Sequence, residues 1–132
     1  MKLYRSMLVD PADGLPVAGS AARMLGVRVP PSDPADVSPD ADGRVIPGTG
    51  GMSVVADDPR HLPLHLRPER LRGRLLRERG DVFEADSDSI VAPLEIRPDG
   101  PPHHLVEPWS PMPVTEFQAA LHATRRRWRI VP

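Results

Sequence analysis

Three polar residues interrupt stretches that otherwise read as buried strand, and each could do chemistry. Arg5 lies inside Leu3-Tyr4-Arg5-Ser6-Met7-Leu8. A strand arginine either points to solvent or points inward. Inward it needs an anion, and a phosphate gripped by two parallel N–H bonds is a natural partner. Ser53 follows Gly48-Thr49-Gly50-Gly51-Met52 at the start of a second apolar run. These glycines either make a tight turn at positive φ or let a ligand approach the backbone, with the Ser53 hydroxyl as its anchor. The segment is too short for a P-loop and lacks the P-loop lysine. Glu107 ends a third apolar run, just before Pro108-Trp109. It is either an exposed strand-end carboxylate or one set beside a cationic transition state.

The histidines are weaker signals. His61 and His65 have the i, i+4 spacing of a helical metal pair, but Pro63 stands between them and no carboxylate completes the set. Loop histidines, and no metal, are the expectation. His103-His104 open a strand, so their rings face opposite ways, and one can face a site while the other is solvated.

These residues must be positioned by short elements. Eighteen prolines in 132 residues cut the chain into pieces and nearly exclude a bundle of long helices. Residues 2–9 read as a strand that stops at Asp10-Pro11, and 17–27 as a short helix weakened by Gly19 and Gly26. Residues 28–50 form a long irregular stretch that leads into the glycine-rich turn and a strand at 52–56. Residues 60–68 read as extended, and 69–79 as one or two helical turns. A candidate hairpin spans 89–107, bulged or at a sheet edge near Pro93, with Asp99-Gly100-Pro101-Pro102 as its turn. Thr115-x-x-Gln118 matches a capping box, and Phe117, Ala120, Leu121, Thr124 and Trp128 follow at helical spacing. An amphipathic helix over 115–128 is therefore expected, with Arg125, Arg126 and Arg127 against the negative end of its dipole. The pattern predicts one α+β domain over residues 1–132, of short strands around one or two helices.

Composition bounds the function. Net charge is −1, so the chain as a whole makes no claim on nucleic acid or membrane. Arg-rich segments at 67–79 and 125–129 are either solvated or form a basic rim that attracts an anionic ligand. There is no cysteine, hence no disulfide and no thiolate metal site. No apolar run approaches the ~20 residues of a membrane span. The N-terminus lacks the apolar core of a signal peptide, so a cytoplasmic location is expected, with a dedicated secretion system if the protein is exported.

The order of these pieces resembles the ADP-ribosyltransferase-like toxins typified by type VI secretion exported effector two. Leu3-Tyr4-Arg5 opens the chain. Pro47-Gly48-Thr49-Gly50-Gly51-Met52-Ser53-Val54 follows, then His103-x-x-x-x-Pro108-x-x-Pro111-Met112, then a last helix ending in Arg125-Arg126-Arg127-Trp128. The resemblance covers nearly the whole chain as a series of short motifs. It departs at Met52, where the family often has a threonine, and at the Arg-rich segment 72–79. The resemblance implies two small β-sheets forming a cleft for NAD, which is consumed as a substrate. Arg5 would contact NAD, and Ser53 would shape the nicotinamide pocket. Glu107 would support the chemistry, with Glu116 as its competitor. His103 matches a family histidine, and Thr49 and Gly51 would form the pocket wall. It further implies a toxin with a macromolecular acceptor and a neutralising immunity or antitoxin protein. Two other readings stand beside it. One is the same fold with other chemistry, either NAD hydrolysis or phosphate transfer from RNA. The other is a non-catalytic partner-binding protein, which expects Arg5, Ser53 and Glu107 to be scattered with no shared cleft.

Overall fold

The computed structural model describes residues 1–66 and 80–132. The helical turn expected over 69–79 and the Arg-rich run 67–79 lie outside the described residues. The elements in order are β1 (Lys2–Leu8), β2 (Arg44–Val45), β3 (Met52–Ala56), β4 (Gly80–Asp86), β5 (Leu94–Pro98), β6 (His103–Pro108), β7 (Met112–Pro113), α1 (Val114–His122) and β8 (Arg129–Ile130). The architecture is α+β. A six-stranded sheet has the order β5-β6-β3-β1-β4-β8, and β2 and β7 form a separate two-stranded ribbon. All paired strands are antiparallel.

Side-chain alternation sorts the sheet into two faces. Leu3, Met7, Met52, Val54, Phe83, Ala85 and Val106 face the main core, where Phe117 and Leu121 of α1 and Trp128 cover them. Tyr4, Val55 and Val82 face the other way and join Leu62 in a smaller cluster. The only α-helix among the described residues thus covers one face, and the loop after β3 covers the other.

Several elements differ from the sequence-based expectation. Residues 17–27 form turns, not a helix. Ala18 and Leu25 instead make an isolated bridge, and a Cβ at Gly26 would collide with the Gly19 carbonyl. Residues 60–66, the described part of the stretch expected to be extended over 60–68, are not simply extended, because Pro59–His61 and Leu64–Leu66 close short 3-10 turns. The hairpin is β5–β6, paired from Leu94 opposite Pro108 to Pro98 opposite His104. Its first strand begins at Leu94, after a 3-10 turn at Ser87–Ser89. The last helix stops at His122, and Arg125–Arg127 form a 3-10 turn. No capping box forms. Pro113 occupies the cap, and the Gln118 amide instead bonds both backbone groups of Val27, at 2.8 and 2.9 Å. Sequence reasoning assigned no element to β4, in which Asp81, Glu84 and Asp86 break up the apolar run. It is a central strand, buried along most of its length.

Candidate active-site cleft

The sheet parts at its middle. β1 and β3 share only two residue pairs, Leu3 with Ala56 and Tyr4 with Val55. Beyond Tyr4, β1 stays with β4 as far as Leu8 opposite Gly80, while β3 stays with β6. A cleft of about 220 Å³ opens at this parting, with Arg5, Ser6, Ser53 and His103 on its walls and Val55, Leu62, Pro63 and Leu66 as an apolar shelf.

Arg5 spans the gap. Alternation puts it on the same face as Leu3 and Met7, in the main core. Its Nη1 donates to the Ser53 carbonyl at 2.8 Å, and Nη2 donates to the Met24 carbonyl at 2.9 Å. The loop that carries Met24 is folded onto the end of β1 by bonds from Leu8 N to the Arg23 carbonyl and from Val17 N to the Leu8 carbonyl. Nε is buried and has no hydrogen-bond partner among the described residues. Nor does Arg5 touch a carboxylate there. Asp36 acts on it through space but is already taken by Arg28, which bonds it from the backbone N–H and from the guanidinium. Burial lowers the Arg5 pKa to about 10, so the group remains a cation at neutral pH. The cleft therefore contains a desolvated positive charge held by neutral carbonyls, an arrangement that favours an anion.

His103 engages Asp99 through Nδ1, at 3.0 Å to the carboxylate and 3.2 Å to the carbonyl, while its ring lines the cleft. His104 points to the other face, where it is buried rather than solvated, with Nδ1 at 3.1 Å from the Pro102 carbonyl. Ser53 is exposed at the mouth.

Glu107 does not line the cleft. It is 1% exposed, neither a solvated strand end nor a group open to a ligand. Its Oε2 accepts from Gly48 N at 2.9 Å and from Arg97 Nε at 3.0 Å. That bond ties the glycine-rich segment to β6, and Gly51 completes the join because a Cβ there would collide with the Val106 carbonyl. Thr49 donates its hydroxyl to the Ile46 carbonyl at 2.6 Å. Neither Thr49 nor Gly51 lines the cleft. Glu116 is exposed in the first turn of α1 and does not line it either.

The structure thus brings Arg5, Ser53 and His103 together and leaves Glu107, Thr49 and Gly51 outside the lining of the cleft. Sequence reasoning missed Ser6, whose only signal was a second polar residue in an apolar strand. It also missed the shelf of Leu62, Pro63 and Leu66, which has no signal beyond its prolines. Arg125 and Arg129 are committed within the fold, to Asp10 and Asp13 and to Glu84. No helix among the described residues is long and apolar enough to cross a membrane. No protein-family model matches the chain, and a search of the curated proteins finds no match.

Proposed function

We propose that this chain is an NAD-dependent ADP-ribosyltransferase of the toxin type, with NAD seated where β1 and β3 part. One observation carries the reading. Arg5, Ser53 and His103, distant in sequence, share one cleft in which a buried guanidinium meets no carboxylate of the described residues. A partner-binding protein with scattered polar residues does not require that convergence. The antiparallel sheet, opened at its centre, also supports an ADP-ribosyltransferase-like fold, though as one parted six-stranded sheet rather than two small ones.

In this reading the Arg5 guanidinium neutralises the pyrophosphate of the substrate, and the apolar shelf of Leu62, Pro63 and Leu66 receives its flat ring. Cleavage of the nicotinamide–ribose bond leaves an oxocarbenium-like ribose, as in glycoside cleavage. Holding the two halves of NAD in one conformation supplies orientation. His103, kept in place by Asp99, would take a proton from the attacking acceptor. Glu107 enters as a positioning residue. Its carboxylate holds Gly48, and through the glycine-rich segment it fixes Ser53.

The test is release of nicotinamide from NAD by the purified chain, with and without a lysate as acceptor source. The wild type is expected to release nicotinamide, and Ser53→Ala to release it more slowly. Transfer of the ADP-ribosyl group to lysate protein separates the transferase from a plain NAD hydrolase. A chain that neither binds nor cleaves NAD at millimolar concentration overturns the reading.

A further inference from the structure

Ser6 lines the cleft beside Arg5 but belongs to the opposite face of β1, with Tyr4. It sits opposite Val82 of β4, past the last residue pair that joins β1 to β3. The residue is 5% exposed, and its hydroxyl oxygen is buried with no hydrogen-bond partner among the described residues. A buried hydroxyl almost always finds a partner, since it gives up its water on folding and must recover the bond elsewhere. Of the surrounding wall, Val55, Leu62, Pro63 and Leu66 offer no side-chain acceptor, and neither Ser53 nor His103, which could accept, bonds the Ser6 hydroxyl. The other buried donor on the wall with no partner among the described residues is Arg5 Nε. Two unsatisfied donors on adjacent residues, flanked by an apolar shelf, describe half of a recognition site.

We propose that Ser6 is a ligand-contacting residue whose hydroxyl donates to an acceptor oxygen on the molecule that fills the cleft. Arg5 holds the anionic part of that molecule, the shelf holds its flat apolar part, and Ser6 reads an oxygen at the junction of the two. The assignment rests on the reading of this cleft as the NAD site, and it adds a specificity residue that the fold itself does not use. It carries a consequence that a structural serine would not share. Removing a hydroxyl that has no partner relieves the free protein, while removing it from a complex leaves a ligand oxygen unpaired.

The experiment compares wild type with Ser6→Ala, by calorimetric melting of the free protein and by titration with NAD. The variant is expected to melt at or above the wild-type temperature and to bind NAD about tenfold more weakly, the scale of one lost hydrogen bond. A fall in the melting temperature of more than about 3 °C overturns the proposal, because the hydroxyl then has a structural partner. A change in affinity below twofold overturns it too. If the wild type binds no NAD, the substrate reading fails by itself, and inorganic pyrophosphate, rich in acceptor oxygens, becomes the probe for Ser6. Weaker pyrophosphate binding by Ser6→Ala upholds the assignment, and equal binding, or none by the wild type, removes it.

Discussion

Arg5 and Arg125 are both arginines drawn into the body of the protein, and they are treated in opposite ways. Arg125 engages every nitrogen of its guanidinium. Nε donates to the Pro16 carbonyl at 2.8 Å, Nη1 to Asp13 at 2.6 Å, and Nη2 to both Asp13 and Asp10. The bonds to Asp13 raise its pKa, and the same contact lowers that of Asp13. Arg5 has two neutral carbonyls, an idle Nε and a pKa lowered to about 10 by burial. One arginine closes the Asp10–Pro16 loop onto the segment after α1. The other is a charge with no carboxylate bonded to it among the described residues. The number of arginines in a region says little about anion binding. What decides it is whether the carboxylates of the fold have already claimed them.

The sharpest way to break this comparison is Arg5→Met. It is expected to lower NAD turnover by roughly 10²–10³-fold, the scale of a lost electrostatic anchor. It should lower the stability of the free protein little at neutral pH, because the Ser53 and Met24 carbonyls lose a donor while the cost of a desolvated charge is removed. The folded-state pKa of Arg5 is below its unfolded value, so its burial opposes folding wherever it is charged, and that cost fades only as pH rises above about 10. A Met variant that retains turnover within threefold, or that unfolds in much less urea, would equate Arg5 with Arg125.

Glu107 gives the next largest effect. Glu107→Ala leaves Gly48 N and Arg97 without their shared acceptor and is expected to cost about 2–4 kcal/mol in urea unfolding. Glu107→Gln keeps an oxygen for Gly48 and should cost less. If Glu107→Gln is as stable as wild type yet loses turnover by 10²-fold or more, the carboxylate acts on the substrate and not only through the glycine-rich segment.

Arg125→Met is expected to lower the melting temperature by a few degrees and to leave the NAD dissociation constant unchanged, the mirror image of the Arg5 variant. The smallest effect belongs to Asp58. Hydrogen bonds from the Arg60 side chain and backbone hold its carboxyl at about 2. Its folded pKa is depressed, so its contribution is complete above the unfolded value near 3.8 and is lost as pH falls toward 2. Asp58→Asn should remove that small contribution at neutral pH, where it is complete, and the variant should converge on wild-type stability as pH falls toward 2.

What the sequence disclosed follows the range of the forces involved. β1, β3 and β6 were legible because alternation or β-branched runs mark them locally. The Asp99–Pro102 turn was legible from its glycine and prolines. β4 was not, because Asp81, Glu84 and Asp86 resemble solvated acids until β1 and β8 cover them. The capping box failed because Gln118 had a better offer from Val27, 91 residues away. The site follows the same rule. Arg5, Ser53 and His103 stood out by type and by order along the chain. That Glu107 would turn to Gly48 and Arg97, and that Ser6 would have no partner, depends on which strands end their pairing where. No local pattern records that.

The position of β1 also governs how the molecule comes into being. It is made before both of its neighbours, yet it sits between β3 and β4 and must wait for each. The guanidinium of Arg5 stays hydrated until Ser53 arrives to receive it, and the wall bearing His103 comes later still. Assembly from such distant partners is slow, because chain closure is costly before it is rewarded. A half-synthesised chain therefore holds its arginine in water and has no cleft, and any activity appears only once the later strands have docked.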